Sequence, residues 1–198
     1  MLWIVMTSPS FFDGEVREIK RLFDAGVDIV HLRKPQSDID DCRRLLNAIP
    51  SECLKNIVTH DHFSLCGEYS LKGVHLNSRN PYCPAGHRGS VSRSCHSFEE
   101  VSLYTPSCDY LFLSPIFDSI SKAGYVAAFS KTDLKYAYSK GFISDKVMAL
   151  GGINSYSIPI VRKFGFGGAV FHGDIWNRLH SATYSKYLSE IETAVHHN

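Results

Sequence analysis

With 198 residues, the chain is the size of one domain and long enough to bury most of its apolar surface in one core. Its formal net charge of +1, from 21 basic and 20 acidic residues that are interspersed, excludes the broad field needed to hold nucleic acid or anionic lipid. The apolar start, residues 1–6, is too short for a signal segment or for the roughly 20 residues of a membrane span, and the six cysteines include no Cys-x-x-Cys pair. Free thiols in a reduced, cytoplasmic protein are therefore expected.

Along the chain, a short apolar run, a polar turn and an amphipathic stretch repeat from end to end, as in βα units around a parallel sheet. A first strand at 2–6 leads to a helix at 13–25, where Val16, Ile19, Leu22 and Phe23 share one face and Gly26 ends the run. A strand at 28–32 precedes a helix at 38–48. Strands at 56–59 and 73–76 follow, each with a short helix or none after it. The remaining pairs are strand 90–93 with helix 97–103, strand 110–113 with helix 132–139, strand 146–150 with helix 154–164, and strand 169–171 with helix 176–194. Segments 77–89 and 114–130 are punctuated as loops over a barrel mouth. Eight such strands predict a compact (β/α)8 (TIM) barrel, a single domain over 1–198, with an open doubly wound sheet as the alternative.

In a barrel the C-terminal strand ends form the active-site face. His31, His60, His75 and His172 fall at such ends, and His62 and His96 fall just after them, so a polar mouth is expected. Strand alternation puts His31 and Arg33 on one face and Leu32 on the other. An inward arginine must meet an anion or a carboxylate such as Asp61, because it cannot shed its charge. Two glycine-rich turns follow late strands: Gly151-Gly152, and the turn at 167–174 that contains His172 and Gly173. Their backbone N–H groups can approach a ligand, and a helix starting near Asp174 would aim its positive end there, so a phosphate site is expected. Lys122 lies in a hydroxyl-rich loop after the sixth strand. Asp61, between His60 and His62, is a candidate Mg2+ ligand, and the same triplet suggests a transition metal as the weaker reading.

Taken in order, His31-Leu32-Arg33, His60-Asp61, Gly73-Val74-His75, Ser94-Cys95-His96-Ser97, Ser114-Pro115-Ile116-Phe117 with Lys122, Leu150-Gly151-Gly152-Ile153 and the 167–174 turn resemble the thiamine-phosphate synthase family, including its thiazole tautomerase branch. The resemblance spans nearly the whole chain. It implies a barrel transferase that joins a hydroxymethylpyrimidine diphosphate to a thiazole phosphate, releasing pyrophosphate with Mg2+ present. Under it, Arg33 and Lys122 meet the diphosphate, Asp61 the Mg2+, Ser94 the pyrimidine region, and Gly152, His172 and Gly173 the thiazole phosphate.

Three departures stand out. The family's Gln-x-Arg-x-Lys reads here as His31, Arg33 and Pro35, so a diphosphate lysine is missing unless Lys34 reaches from the opposite face. Its Asn-Asp is His60-Asp61, and the second Mg2+ carboxylate falls on Asn80. The tautomerase branch's histidine after the sixth strand is Pro115. The leading expectation is a thiamine-phosphate synthase acting on small phosphorylated pyrimidine and thiazole substrates. The alternatives are a thiazole phosphate tautomerase in which His31, His60 or His172 moves the proton, and a non-catalytic thiamine phosphate-binding or regulatory protein. No nucleic acid or membrane partner is expected, and Tyr136 and Tyr138 are candidates for a homo-oligomer interface.

Overall fold

Alternation along each strand explains how the sheet curls onto itself. In β1 (Leu2–Met6), Ile4 and Met6 join a small apolar cluster with Ile29, Val58, Tyr110, Phe112, Met148 and Val170, while Trp3 and Val5 join the larger cluster that includes the helix residues. The first set fills the inside of a cylinder and the second seals it against the helices. Burying each such aliphatic side chain is worth roughly 1.5–3 kcal/mol, so residues on both faces hold the sheet.

The computed structural model describes residues 1–118 and 127–197, and its strands close into one parallel barrel in chain order. The others are β2 (Ile29–Leu32), β3 (Ile57–Thr59), β4 (Gly73–Leu76), β5 (Ser90–Cys95), β6 (Tyr110–Leu113), β7 (Val147–Leu150) and β8 (Gly168–Phe171). Closure comes from β1 against β8, with Leu2 opposite Gly168 and Val5 opposite Phe171. The barrel is thus as expected, and the open doubly wound sheet is not found.

Around it lie α1 (Glu15–Asp24), α2 (Ile39–Ala48), α3 (Ser51–Leu54), α4 (Ser64–Glu68), α5 (Phe98–Tyr104), α6 (Lys131–Ser139), α7 (Ile158–Lys163), α8 (Gly173–Asn177) and α9 (Tyr184–His196). Caps set several starts. Asp38 accepts from the Asp40 amide at 2.8 Å, Ser97 from the Glu100 amide at 3.2 Å, and Ser130 with Asp133 closes a capping box. Among the described residues, no helix is long and apolar enough to cross a membrane.

Some boundaries differ from the expected ones. The first helix starts after Gly14, not at Asp13. The stretch expected as a helix over 154–164 opens as a 3-10 turn (Ser155–Ser157) capped by Asn154, before α7 with Pro159 in its first turn. The expected helix over 176–194 is two helices. Asp174 of α8 is held by Arg178 at 3.1 Å and by the Tyr187 hydroxyl of α9, and the chain turns between them with Ser181 and Thr183 hydroxyls bonded at 2.9 Å.

Candidate active site

The inner face of the barrel is polar at its centre. His31 (β2) and His75 (β4) are fully buried and His60, just past β3, is 3% exposed. His31 Nδ1 lies 2.8 Å from His60 Nε2, and His31 Nε2 lies 2.8 Å from the Tyr110 hydroxyl. His75 bridges Ser92 and Ser94 of β5, its Nδ1 and Nε2 each 2.9 Å from a serine oxygen. Burial pushes His31 and His60 well below the ordinary imidazole value, and it takes His75 down to about 3 with Arg93 and Arg33 adding repulsion. All three are neutral at physiological pH. The histidines expected to line an open mouth therefore sit in the closed interior, below it.

The ring nitrogens of His31, His60 and His75 lie within 4.8 Å of one another, a spacing open to a metal ion. Ring geometry opposes one. His60 and His75 are stacked at 4.1 Å with 19° between planes, and an imidazole lone pair lies in its ring plane, so the two cannot point at one ion. His62 turns away and donates to the Ser37 carbonyl at 2.9 Å, so the His60-Asp61-His62 triplet does not converge either.

Above this layer stands Arg33, inward like His31 and half-buried. Thr7 of the first loop fixes its backbone, accepting from the Arg33 amide at 3.0 Å and donating to its carbonyl at 3.2 Å. Among the described residues, the Arg33 guanidinium makes no hydrogen bond or ion pair. Burial lowers its basicity first and the nearby Arg79 lowers it further, while Asp61 offsets part of this. Asp61 instead pairs with Arg79, whose Nη2 is 3.2 Å from Oδ1, and also accepts from Asn80 Nδ2 at 2.9 Å. Asp61 thus accepts from the side chains of two residues, Arg79 and Asn80, and faces two guanidinium groups. That donor set does not fit Mg2+, which takes a near-octahedral shell of oxygens.

Arg79 was not legible as a site residue because it lies in a loop punctuated by proline and glycine. A signal existed in Asn77, which begins the loop. Its side chain accepts from the Arg79 amide at 3.0 Å and the Asn80 amide at 3.2 Å, and it donates to the His60 carbonyl at 3.0 Å.

Lys34 cannot stand in for the missing lysine. It points out of the barrel, 1% exposed, its ammonium 2.5 Å from Glu15 Oε1 and within 3.0 Å of the Ser8 and Ser10 carbonyls. Ser94 sits at the mouth end of β5 on His75. Gly151 and Gly152 leave β7 with φ of 101° and 64°, and Pro115 and Asp118 pack over them. A Cβ on Gly152 would lie 2.4 Å from the Asp118 carbonyl oxygen. These glycines thus let the loop after β6 close on β7. His172 and Gly173 follow β8, the neighbouring strand, with His172 at the N-cap of α8. Lys122 lies outside the described residues.

A closed eight-stranded parallel barrel that gathers an inward arginine, a carboxylate and glycine turns at its C-terminal strand ends belongs to the (β/α)8 class, whose active sites lie at that face. The comparisons narrow the class. A model of the thiamine monophosphate synthase family matches residues 2–175, so the chain belongs to that family. It is 26% identical over 167 residues to a thiamine-phosphate synthase of Leptospira biflexa serovar Patoc, covering 77% of this chain and 79% of that protein. A crystal structure of thiamine phosphate pyrophosphorylase from Bacteroides thetaiotaomicron superposes with a TM-score of 0.88 at 40% identity, covering 98% and 97% of the two chains. A thiamine phosphate pyrophosphorylase from Pyrococcus furiosus, at 16% identity and a TM-score of 0.76 over 98% and 94%, shares the fold.

Proposed function

We propose that the chain joins a hydroxymethylpyrimidine diphosphate to a thiazole phosphate. The thiazole nitrogen forms a C–N bond to the pyrimidine methylene as its C–O bond breaks, and pyrophosphate leaves. The observation that carries this reading is Arg33, a half-buried guanidinium on the inner face of the mouth with no hydrogen-bonded or ion-paired partner among the described residues. A fixed positive charge at that point stabilises the charge that grows on a departing diphosphate, and its placement in advance by Thr7 removes the cost of reorganisation. Ser94, aimed by His75, supports recognition of the pyrimidine. Gly151, Gly152, His172 and Gly173, at the ends of adjoining strands, support a thiazole phosphate site. The family resemblance assigns Lys122 to the diphosphate as well. Purified protein given both substrates is expected to release pyrophosphate. Binding of thiazole phosphate without turnover would sink the reading.

A further inference from the structure

We infer that Arg79 and Arg33 form a two-guanidinium clamp that neutralises the diphosphate directly, with Asp61 aiming Arg79 rather than holding a metal. This deepens the proposed function and rests on it.

Three observations converge. The first is charge. Arg33 and Arg79 are close enough to depress Arg33's basicity, and among the described residues Asp61 is the carboxylate that acts on it there. Two positive charges against one negative leave the cluster a cation, and a half-buried cation needs an anion. The second is aim. The turn that carries Arg79 is closed by paired backbone hydrogen bonds between Asn77 and Asn80, both 3.1 Å, and by the Asn77 side chain, which also reaches back to the carbonyls of His60 and His75. Asp61 then takes Arg79 Nε at 3.4 Å and Nη2 at 3.2 Å, and among the described residues Nη1 has no acceptor. The third is the donor set. Asn80 presents an amide N–H to Asp61, so the carboxylate is used within the turn, and a dication placed there would add to two guanidinium charges. A diphosphate, by contrast, offers several anionic oxygens to planar N–H donors, the geometry arginine matches best.

The test is calorimetric titration of inorganic pyrophosphate into the intact protein, once with EDTA and once with Mg2+. The expected result is binding in EDTA that Arg79→Ala weakens about tenfold or more and that Asp61→Asn, whose amide oxygen can still accept from Arg79, retains. Lys186→Ala, an exposed residue on α9, should leave the affinity unchanged and so controls for non-specific attraction. Melting temperature reports whether each variant folds, and Arg79→Lys, which keeps charge but not the planar fork, should fall between wild type and alanine. Binding only when Mg2+ is present, abolished by Asp61→Asn and indifferent to Arg79→Ala, overturns the clamp. If that Mg2+-dependent protein still condenses the two substrates, the proposed reaction stands without the clamp. If no pyrophosphate binds under either condition and no turnover occurs, both fall.

Discussion

His31 Nδ1, on β2, and His60 Nε2, just past β3, stand 2.8 Å apart, each imidazole buried and held neutral, and the bond between them continues to the Tyr110 hydroxyl. The stability of the barrel should therefore depend on pH. An imidazole that stays neutral when folded but protonates near 6.5 when unfolded favours unfolding as soon as pH falls below 6.5. The stabilisation is complete above that value and shrinks towards the folded value, about 3 for His75. With His31, His60 and His75 together, about 4 kcal/mol should be lost between pH 7 and pH 5.5. Urea midpoints across this range measure it, and a flat profile would refute the neutral cluster.

His31→Leu tests the same bond from the other side. It leaves His60 Nε2 and the Tyr110 hydroxyl without their partner in a site closed to water. The expected loss is roughly 2–4 kcal/mol, seen as a lower denaturant midpoint. His31→Gln, which keeps a donor and an acceptor, should recover part of it.

Lys34 and Glu15 form an ion pair with side chains 1% and 2% exposed. Removing one partner strands the other charge, so Lys34→Met should cost about 3–5 kcal/mol, while Lys34→Met with Glu15→Leu should cost much less. Chemical denaturation of the single and double variants decides. An additive double variant would mean that the loop carbonyls of Ser8 and Ser10, not Glu15, are what Lys34 serves.

Arg33→Ala should lower kcat/KM for pyrophosphate release on the order of 100-fold or more, with little change in melting temperature, since it removes a charge that no protein hydrogen bond or ion pair uses among the described residues. Gly152→Ala should act first on stability. Its positive φ and the 2.4 Å approach to Asp118 predict a loss of about 2–3 kcal/mol in stability. Thermal melts set beside steady-state rates separate the two.

Much of the fold was legible because each strand is an apolar run closed by a polar turn. Strands at 2–6, 73–76 and 110–113 match the structure residue for residue. Inner and outer faces were legible too: His31 and Arg33 do share the inside, with Leu32 outside. Depth was not. Position at a strand end does not say whether a side chain lies in the top closed layer or above it, so the expected rim of His31, His60 and His75 is the floor instead. The partner of Lys34 was not legible for a related reason, since the outward face of a barrel strand is as dry as the inward one and Glu15 lies 19 places before it in the chain. Arg79 escaped because loop composition hides a turn organised by a single asparagine.

The ring closes through β1 and β8, the first and last strands to be made. During synthesis, β1 therefore keeps one side unpaired until Phe171 has emerged, and the inner face of β2 stays wet until then. In a growing chain the histidines keep the ordinary imidazole value of about 6.5, and only completion dries them. Any truncation before β8 should thus yield a sheet with two open edges and titratable histidines, prone to pair with its neighbours rather than to fold partway.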